Sequence, residues 1–478
     1  MKVEQHAHQN AHNPHIRHKK SPAGRRNENL LTEGNVFRVL LSFSVPFLIA
    51  NVIQALYGAV DLMVIGWYCP PESVAAVSTG TQVTQIITSM VSGLTLGGTI
   101  LVGKYIGMRD EKRAERTIGT TLSVFAVVAL VLTVVMLLLR EPVLRALKTP
   151  AASFELAKRY VTICFFGIFF ICGYHAISAI LRGYGDSKRP MYFAALSCVL
   201  NIIGDVVFVK YMGMGVAGTA LSTVGSQAIS MICSILYLNR RKFIFTFRLK
   251  NFRIDPDLVR ELAVVGIPIS FQECMVRLSF LYLTSVTNRL GVSAAAAVGI
   301  ASKYDVFAML PATSLASALA AITAQNYGAG KWKRARQSLM AAVGFAFLSS
   351  ALFFLWAQIS PQTMIGVFHS DPAIIEAGVP FFRSCSYDYL AVSFVFCLNG
   401  YMNGRSKTVF TMVSCCFGAL ALRMPLIRLA YTYCPENLAV IGAIAPAVSG
   451  FMAVYTMAFV LWQFRKEHLN SSAERRHI

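Results

Sequence analysis

The chain has 478 residues, 55% of them hydrophobic and only 14% charged, with a mean hydropathy of +0.55. A soluble domain carries about a quarter charged residues; here apolar blocks recur along nearly the whole chain, each on the order of 20 residues or longer, enough to cross a bilayer as a helix. The net charge of +21 would suit a nucleic-acid binder, but the basic residues fall in loops and tails, where the positive-inside rule places them, so nucleic acid is excluded as a partner and the lipid bilayer is expected instead.

Residues 1–34 read as a disordered, basic, His-rich cytoplasmic tail. His6, His8, His12, His15 and His18 could hold a metal only weakly, because nothing fixes a coordination geometry. The first set of apolar blocks is Phe37–Trp67, Val74–Gly103, Thr117–Leu139, Tyr160–Leu181, Met191–Val209 and Gly213–Leu238. A basic cytoplasmic linker, 239–256, follows. The second set is Leu258–Asn288, Ser293–Ala324, Leu339–Ile359, Ala373–Tyr401, Thr408–Tyr433 and Leu438–Phe464, before a short cytoplasmic tail at 465–478. The blocks are continuous and lack the dyad alternation of barrel strands. The expected fold class is therefore an all-α integral membrane protein of about twelve helices, with one bundle over 35–238 and another over 257–464.

The first block is too long for the apolar region of a signal peptide. Alternate loops carry most of the Lys and Arg, and both tails fall on that same side, which predicts cytoplasmic termini in a multi-pass inner-membrane protein. The 11 cysteines are scattered without a CxxC. Cys69 and Cys434 fall in loops assigned outside, and pairing them would need a proximity that sequence does not show.

The two sets are a repeat. SVPFLIANVIQ around Pro46 and GKYIGMRDEKRAER from Gly103 return as GIPISFQECMV around Pro268 and AQNYGAGKWKRARQ from Ala324. LRGYGDSK, ending at Lys188, is echoed by YMNGRSK, ending at Lys407. Duplicated bundles are a common way to build transporters, with the binding site at the repeat interface.

A charge at the bilayer centre costs about 2.5–3.5 kcal/mol on insertion scales, so each such residue calls for a reason. Asp61 lies deep in the first helix and shares a face with Gln54, seven residues before it. Asn201 and Asp205, four apart, are neighbours on the fifth helix. Thr223 lies in the small, polar stretch GTALSTVGSQ of the sixth. No Lys or Arg lies mid-membrane in this half, so its two acids must be protonated or hold a cation, and oxygen donors suit a hard ion such as sodium. The plainer alternative is that they hydrogen-bond within a helix interface. In the second half, Glu273 has Arg277 four residues on as a ready ion-pair partner, Lys303 and Asp305 share the eighth helix, Asp388 sits in the tenth with Arg383 nearer its start, and Arg423 lies in the eleventh. Acids and bases there can neutralise one another, so a structural ion-pair network competes with a coupling role. His175 reads as a packed polar residue.

Taken together, the two six-helix repeats, the Pro-then-Asp first helix, the basic G-K-Y-I-G loop, L-R-G-Y-G-D-S-K-R-P before the fifth helix and the N-x-x-x-D of Asn201 and Asp205 resemble the MATE (multidrug and toxic compound extrusion) transporters. The resemblance runs from about Leu30 to Phe464 and is closest to the bacterial branch of DinF-like and MepA-like pumps. It implies a secondary antiporter whose lobes rock around a central cleft and export cationic amphiphilic drugs in exchange for Na+ or H+. It implies a cation-coupling site at Asp61, Asn201, Asp205 and Thr223, a cavity position at Gln54, and, as in the related NorM branch, a second coupling site at Glu273 and Asp388. A monomer with no cofactor and no resident metal is expected, with Na+ only transiently at the first site. The nearest rival is a flippase for lipid-linked oligosaccharides or precursors, disfavoured because the first half offers acids rather than bases. An intramembrane enzyme is a rival of another class, but HExxH, GxSxG and clustered metal ligands are lacking.

Overall fold

Asn35 opens the first helix by accepting hydrogen bonds from the backbone N–H groups of Phe37 and Arg38, at 3.0 and 3.2 Å, which satisfies two of the free donors at a helix start. The structure, a computed structural model, describes residues 31–474 apart from 148, 241–242, 369–370 and 435–436; the His-rich tract lies outside them. The helices of the first half are α1 (Val36–Tyr68), α2 (Pro71–Gly107), α3 (Glu111–Ala146), α4 (Ala151–Phe166), α5 (Ile168–Tyr184), α6 (Lys188–Asp205) and α7 (Val216–Arg240). Those of the second are α8 (Pro256–Thr287), α9 (Val292–Gly328), α10 (Trp332–Ile359), the short α11 (Pro361–Gly366), α12 (Pro372–Cys385), α13 (Tyr387–Gly404), α14 (Thr408–Cys416), α15 (Met424–Tyr433) and α16 (Leu438–Glu474).

Ten spans among the described residues are single stretches long and apolar enough to cross a bilayer. The fourth predicted block departs from a straight helix: α4 and α5 meet at a 49° bend on Gly167. A Cβ there would lie 2.3 Å from a Val224 methyl, so only glycine lets α7 pack this closely against the bend. The tenth block likewise divides into α12 and α13 at Ser386. Two helices carry π-helical segments, Val206–Tyr211 directly after Asp205 and Phe417–Arg423 between α14 and α15; such wider turns are frequent at functional sites. Large apolar side chains stand bare on the outer faces, with Leu138 75% and Met340 76% exposed. In water such a surface would aggregate, whereas against lipid tails it is solvated.

The repeat is visible atom by atom. Gly183 packs on the Thr99 carbonyl and Val102, and Gly404 packs on the Ala320 carbonyl and Thr323; each residue of the second set lies 221 positions after its counterpart. The halves meet across α2, α8 and α9. A Cβ on Gly107 would lie 2.1 Å from the Gln325 carbonyl oxygen, and one on Gly328 would lie 2.2 Å from that of Lys104. This reciprocal crossing, again at a spacing of 221, brings two backbones together where only hydrogen fits. Gly97 faces Gly266 in the same way, and the Ser270 hydroxyl donates to the Met90 carbonyl at 2.8 Å. Around the crossing, Lys104 and Arg113 pair with Glu261 at 3.3 and 3.6 Å, and the Tyr105 hydroxyl donates to the same carboxylate.

Except for Ser270–Met90, which lies mid-helix, these joins lie toward the ends of α2 and α9 that carry the basic loops, so the halves are sealed at the basic face. Residues 31–34 lie over the seal. The Leu31 N–H donates to Gln325, Lys331 donates to the Thr32 carbonyl, and Arg334 donates to the carbonyls of Glu33 and Gly34. The start of α1 (Leu40, Phe43, Phe47) packs in one apolar cluster with Leu315, Leu319 and Tyr401 of the second half.

Candidate functional site

Four side chains singled out in the first half come together. Asn201 Nδ2 donates to Asp61 Oδ1 at 3.1 Å, and Thr223 Oγ1 donates to Asp61 Oδ2 at 3.3 Å. Asp205 lies close enough to Asp61 for their carboxyl groups to interact electrostatically. Asn201 and Asp205 are 0% exposed, Asp61 3% and Thr223 6%. Among the described residues, neither acid pairs with a Lys or Arg, and both oxygens of Asp205 and the side-chain amide oxygen Oδ1 of Asn201 lack a hydrogen-bond partner. Two buried carboxyl groups side by side cannot both stay ionised without a positive partner. The cluster is thus a nest of oxygen atoms that lacks a positive partner among the described residues.

Two members escaped the sequence reading. The Ser222 hydroxyl accepts from Asn201 Nδ2 at 3.2 Å and donates to the Asn201 carbonyl at 2.7 Å, tying α7 to α6. Tyr57 places its hydroxyl between the Thr223 carbonyl, at 3.0 Å, and the Ser226 hydroxyl, tying α1 to α7. Tyr57 stands one helical turn before Asp61, and Ser222 is next to Thr223. Both spacings were readable, but an aromatic and a serine on apolar helices carried no signal of their own.

A second feature lies between the halves, beyond the seal: a cavity of about 390 Å³. Gln54 lines it, as expected, and so do Glu273 and Asp388. Asp61 and Asp205 do not, which corrects the reasoning that the first half's acids set the cavity's charge. The ionisable lining is mixed instead, with Glu273 and Asp388 from the second half, Arg182 and His175 from the first, and Arg423. His175 therefore faces the cavity rather than a packed interface. Arg182 read as a loop charge in LRGYGDSK, but α5 continues to Tyr184 and carries it into the cavity wall.

The expected ion pair of Glu273 with Arg277 does not form. Glu273 turns into the cavity while Arg277 stays exposed outside it, because a spacing of four brings two residues to one side of a helix but does not set their rotamers. Lys303 and Arg383 are also exposed and neutralise neither acid. Arg423 faces both Asp388 and Asp305 electrostatically, donates to Ser449 at 3.5 Å and lies over the Phe280 ring. The Tyr389 hydroxyl donates to Asp305 at 3.0 Å. Asp388 itself is 4% exposed. Cys69 and Cys434 are both free thiols.

The sequence model of the MatE family matches residues 46–207 and again 268–429, one copy in each half. The probable multidrug resistance protein YoeA of Bacillus subtilis is 25% identical over 438 residues, covering 90% of this chain and 94% of that protein. The multidrug export protein MepA of Staphylococcus aureus is 21% identical over 388 residues, covering 79% and 84%. Among solved structures, an outward-facing multidrug resistance MATE transporter of the MOP superfamily superposes with a TM-score of 0.85 at 21% identity, over 93% of this chain and 99% of that one. The doubled family match, the long relatives and the paired bundles around a shared cavity lead to one conclusion: this multi-pass membrane protein belongs to the MATE family of transporters.

Proposed function

We propose that the protein is a secondary active antiporter that exports cationic amphiphilic drugs and toxic compounds in exchange for Na+ or H+. One observation carries this reading: Asp205, wholly buried beside Asp61, has neither a basic partner nor a hydrogen-bond donor on its oxygens. A Na+ or H+ taken up by Asp61, Asn201, Asp205 and Thr223 stabilises whichever arrangement of α1, α6 and α7 holds these groups together. The substrate occupies the cavity between the halves, where Gln54 offers an amide and Glu273 and Asp388 meet its positive group. Ion and substrate thus bind at different places and communicate through α1, which carries both Gln54 and Asp61. Each shifts the equilibrium between open forms only by its unequal affinity for the two.

The names of the multidrug relatives support drug export. The basic face is assigned to the cytoplasm by the positive-inside rule, so both termini lie inside the cell membrane and the sealed face is the inner one. The bundles at 35–238 and 257–464 rock as two lobes about the seam, in a monomer. The test is drug transport in everted vesicles or liposomes with sodium and pH gradients imposed separately. Asp205→Asn is expected to insert normally and lose gradient-driven export. Wild-type export by that variant refutes the reading.

A further inference from the structure

The central cavity is electrically lopsided. On its second-half wall, Arg423 lies within electrostatic reach of Asp388 and Asp305, as Glu273 does of Arg277. On the opposite wall Arg182 is the positive charge with no acid facing it. Among the described residues, Arg182 forms no salt bridge; its guanidinium lies over the Phe47 ring, 4.7 Å from the centroid. A ring face offsets only a small part of the cost of holding a charge in a membrane interior. Arginine keeps its charge in proteins, and its planar fork of donors matches carboxylate and phosphate oxygens. The neighbouring polar groups are neutral: Thr99 Oγ1 donates to the Ala179 carbonyl at 2.9 Å and Asn51 donates to Ser314 at 2.9 Å, and neither offsets a full positive charge. His175, seven residues before Arg182, faces the same cavity and adds no negative charge.

We propose that Arg182 is the anion-recognition end of the central cavity, so that the transported amphiphile carries a carboxylate or phosphate group at this end and its positive group at the end marked by Glu273 and Asp388. This rests on the antiporter reading for the use of the cavity, and it narrows the substrate class from cations to zwitterions. Arg182 acts here as a specificity-determining residue: it rewards the second charge without contributing to ion coupling.

The test uses two dyes that share one ring system. Rhodamine B bears a free carboxylate and is zwitterionic at neutral pH; its ethyl ester is a plain cation. Binding of each to purified full-length protein is followed by fluorescence anisotropy. Wild type is expected to bind the acid about tenfold more tightly than the ester, the size of one charge-assisted contact. Arg182→Gln is expected to erase the difference by weakening the acid, and Arg182→Lys to restore part of it. Equal affinity of wild type for acid and ester overturns the proposal and needs no variant to show it. So does an equal loss of both dyes in Arg182→Gln, which would mark a merely structural arginine, and so does an absence of binding by either dye. Gradient-driven transport of the ester in liposomes is measured separately. Its failure under both gradients, with the binding preference intact, sinks the antiporter reading and leaves the recognition site standing.

Discussion

Replacing Gly107 by alanine puts a methyl group where a carbonyl already is. The added carbon would start 2.1 Å from the Gln325 oxygen, and that oxygen belongs to the backbone of α9, so it cannot swing aside as a side chain would. Relief requires α2 and α9 to part by on the order of 1 Å. Overpacking of this kind costs about 1–3 kcal/mol, charged only to the form in which the halves touch at the basic face. Since 1.4 kcal/mol is a factor of about ten, the balance between the two open forms moves by about five- to over a hundredfold toward the form open at the basic face. The assay is the rate at which a membrane-impermeant maleimide labels Gln54→Cys from each side of oriented vesicles, in protein whose other cysteines have been replaced. With Gly107→Ala, labelling is expected to rise from the basic side and fall from the other. Gly328→Ala, its mirror at 2.2 Å from the Lys104 oxygen, is expected to act in the same direction. Labelling that is unchanged in both variants refutes the claim that these glycines form the seal.

Two further outcomes follow from contacts described above. Tyr57→Phe removes a hydroxyl that joins α1 to α7 through Thr223 and Ser226; a neutral hydrogen bond contributes about 1 kcal/mol, so the concentration of driving ion at half-maximal transport is expected to rise about fivefold, and an unchanged value would remove Tyr57 from the site. Glu467 is shared by Arg336 and by Arg405, whose side chain is only 7% exposed. Glu467→Gln removes the charge that pairs with both arginines while keeping one acceptor oxygen, at a cost of about 1–2 kcal/mol once the partial exposure of the glutamate is allowed for, and is expected to lower the thermal unfolding temperature in detergent, whereas an unaltered temperature would show that solvent replaces the carboxylate.

The twelve apolar blocks and the duplication could be read from the sequence, because lipid forces long apolar helices and repeated motifs preserve their spacing. Asn201 and Asp205 could be paired because a four-residue spacing on a helix fixes their common side, and Asp61 and Thr223 stood out as polar groups in apolar surroundings. What could not be read was direction. Glu273 and Arg277 share a spacing but not an orientation, and the first half's acids turned toward one another rather than toward the cavity. Nor did LRGYGDSK reveal where helix α5 ends. Three residues of continued helix separate a loop arginine from one lining the cavity. The need for glycine at the 167 bend was not legible locally; it is set by the close approach of Val224, 57 residues away.

The segment 31–34 has a consequence for any opening at the basic face. These residues lead into α1, yet their hydrogen bonds are made to Gln325, Lys331 and Arg334 of the opposite half. A movement that separates the halves at the basic face must either unzip this short stretch or stretch it across the widening gap. Residues 31–34 thus join α1 to the opposite half at the seam, and any opening there must act on them.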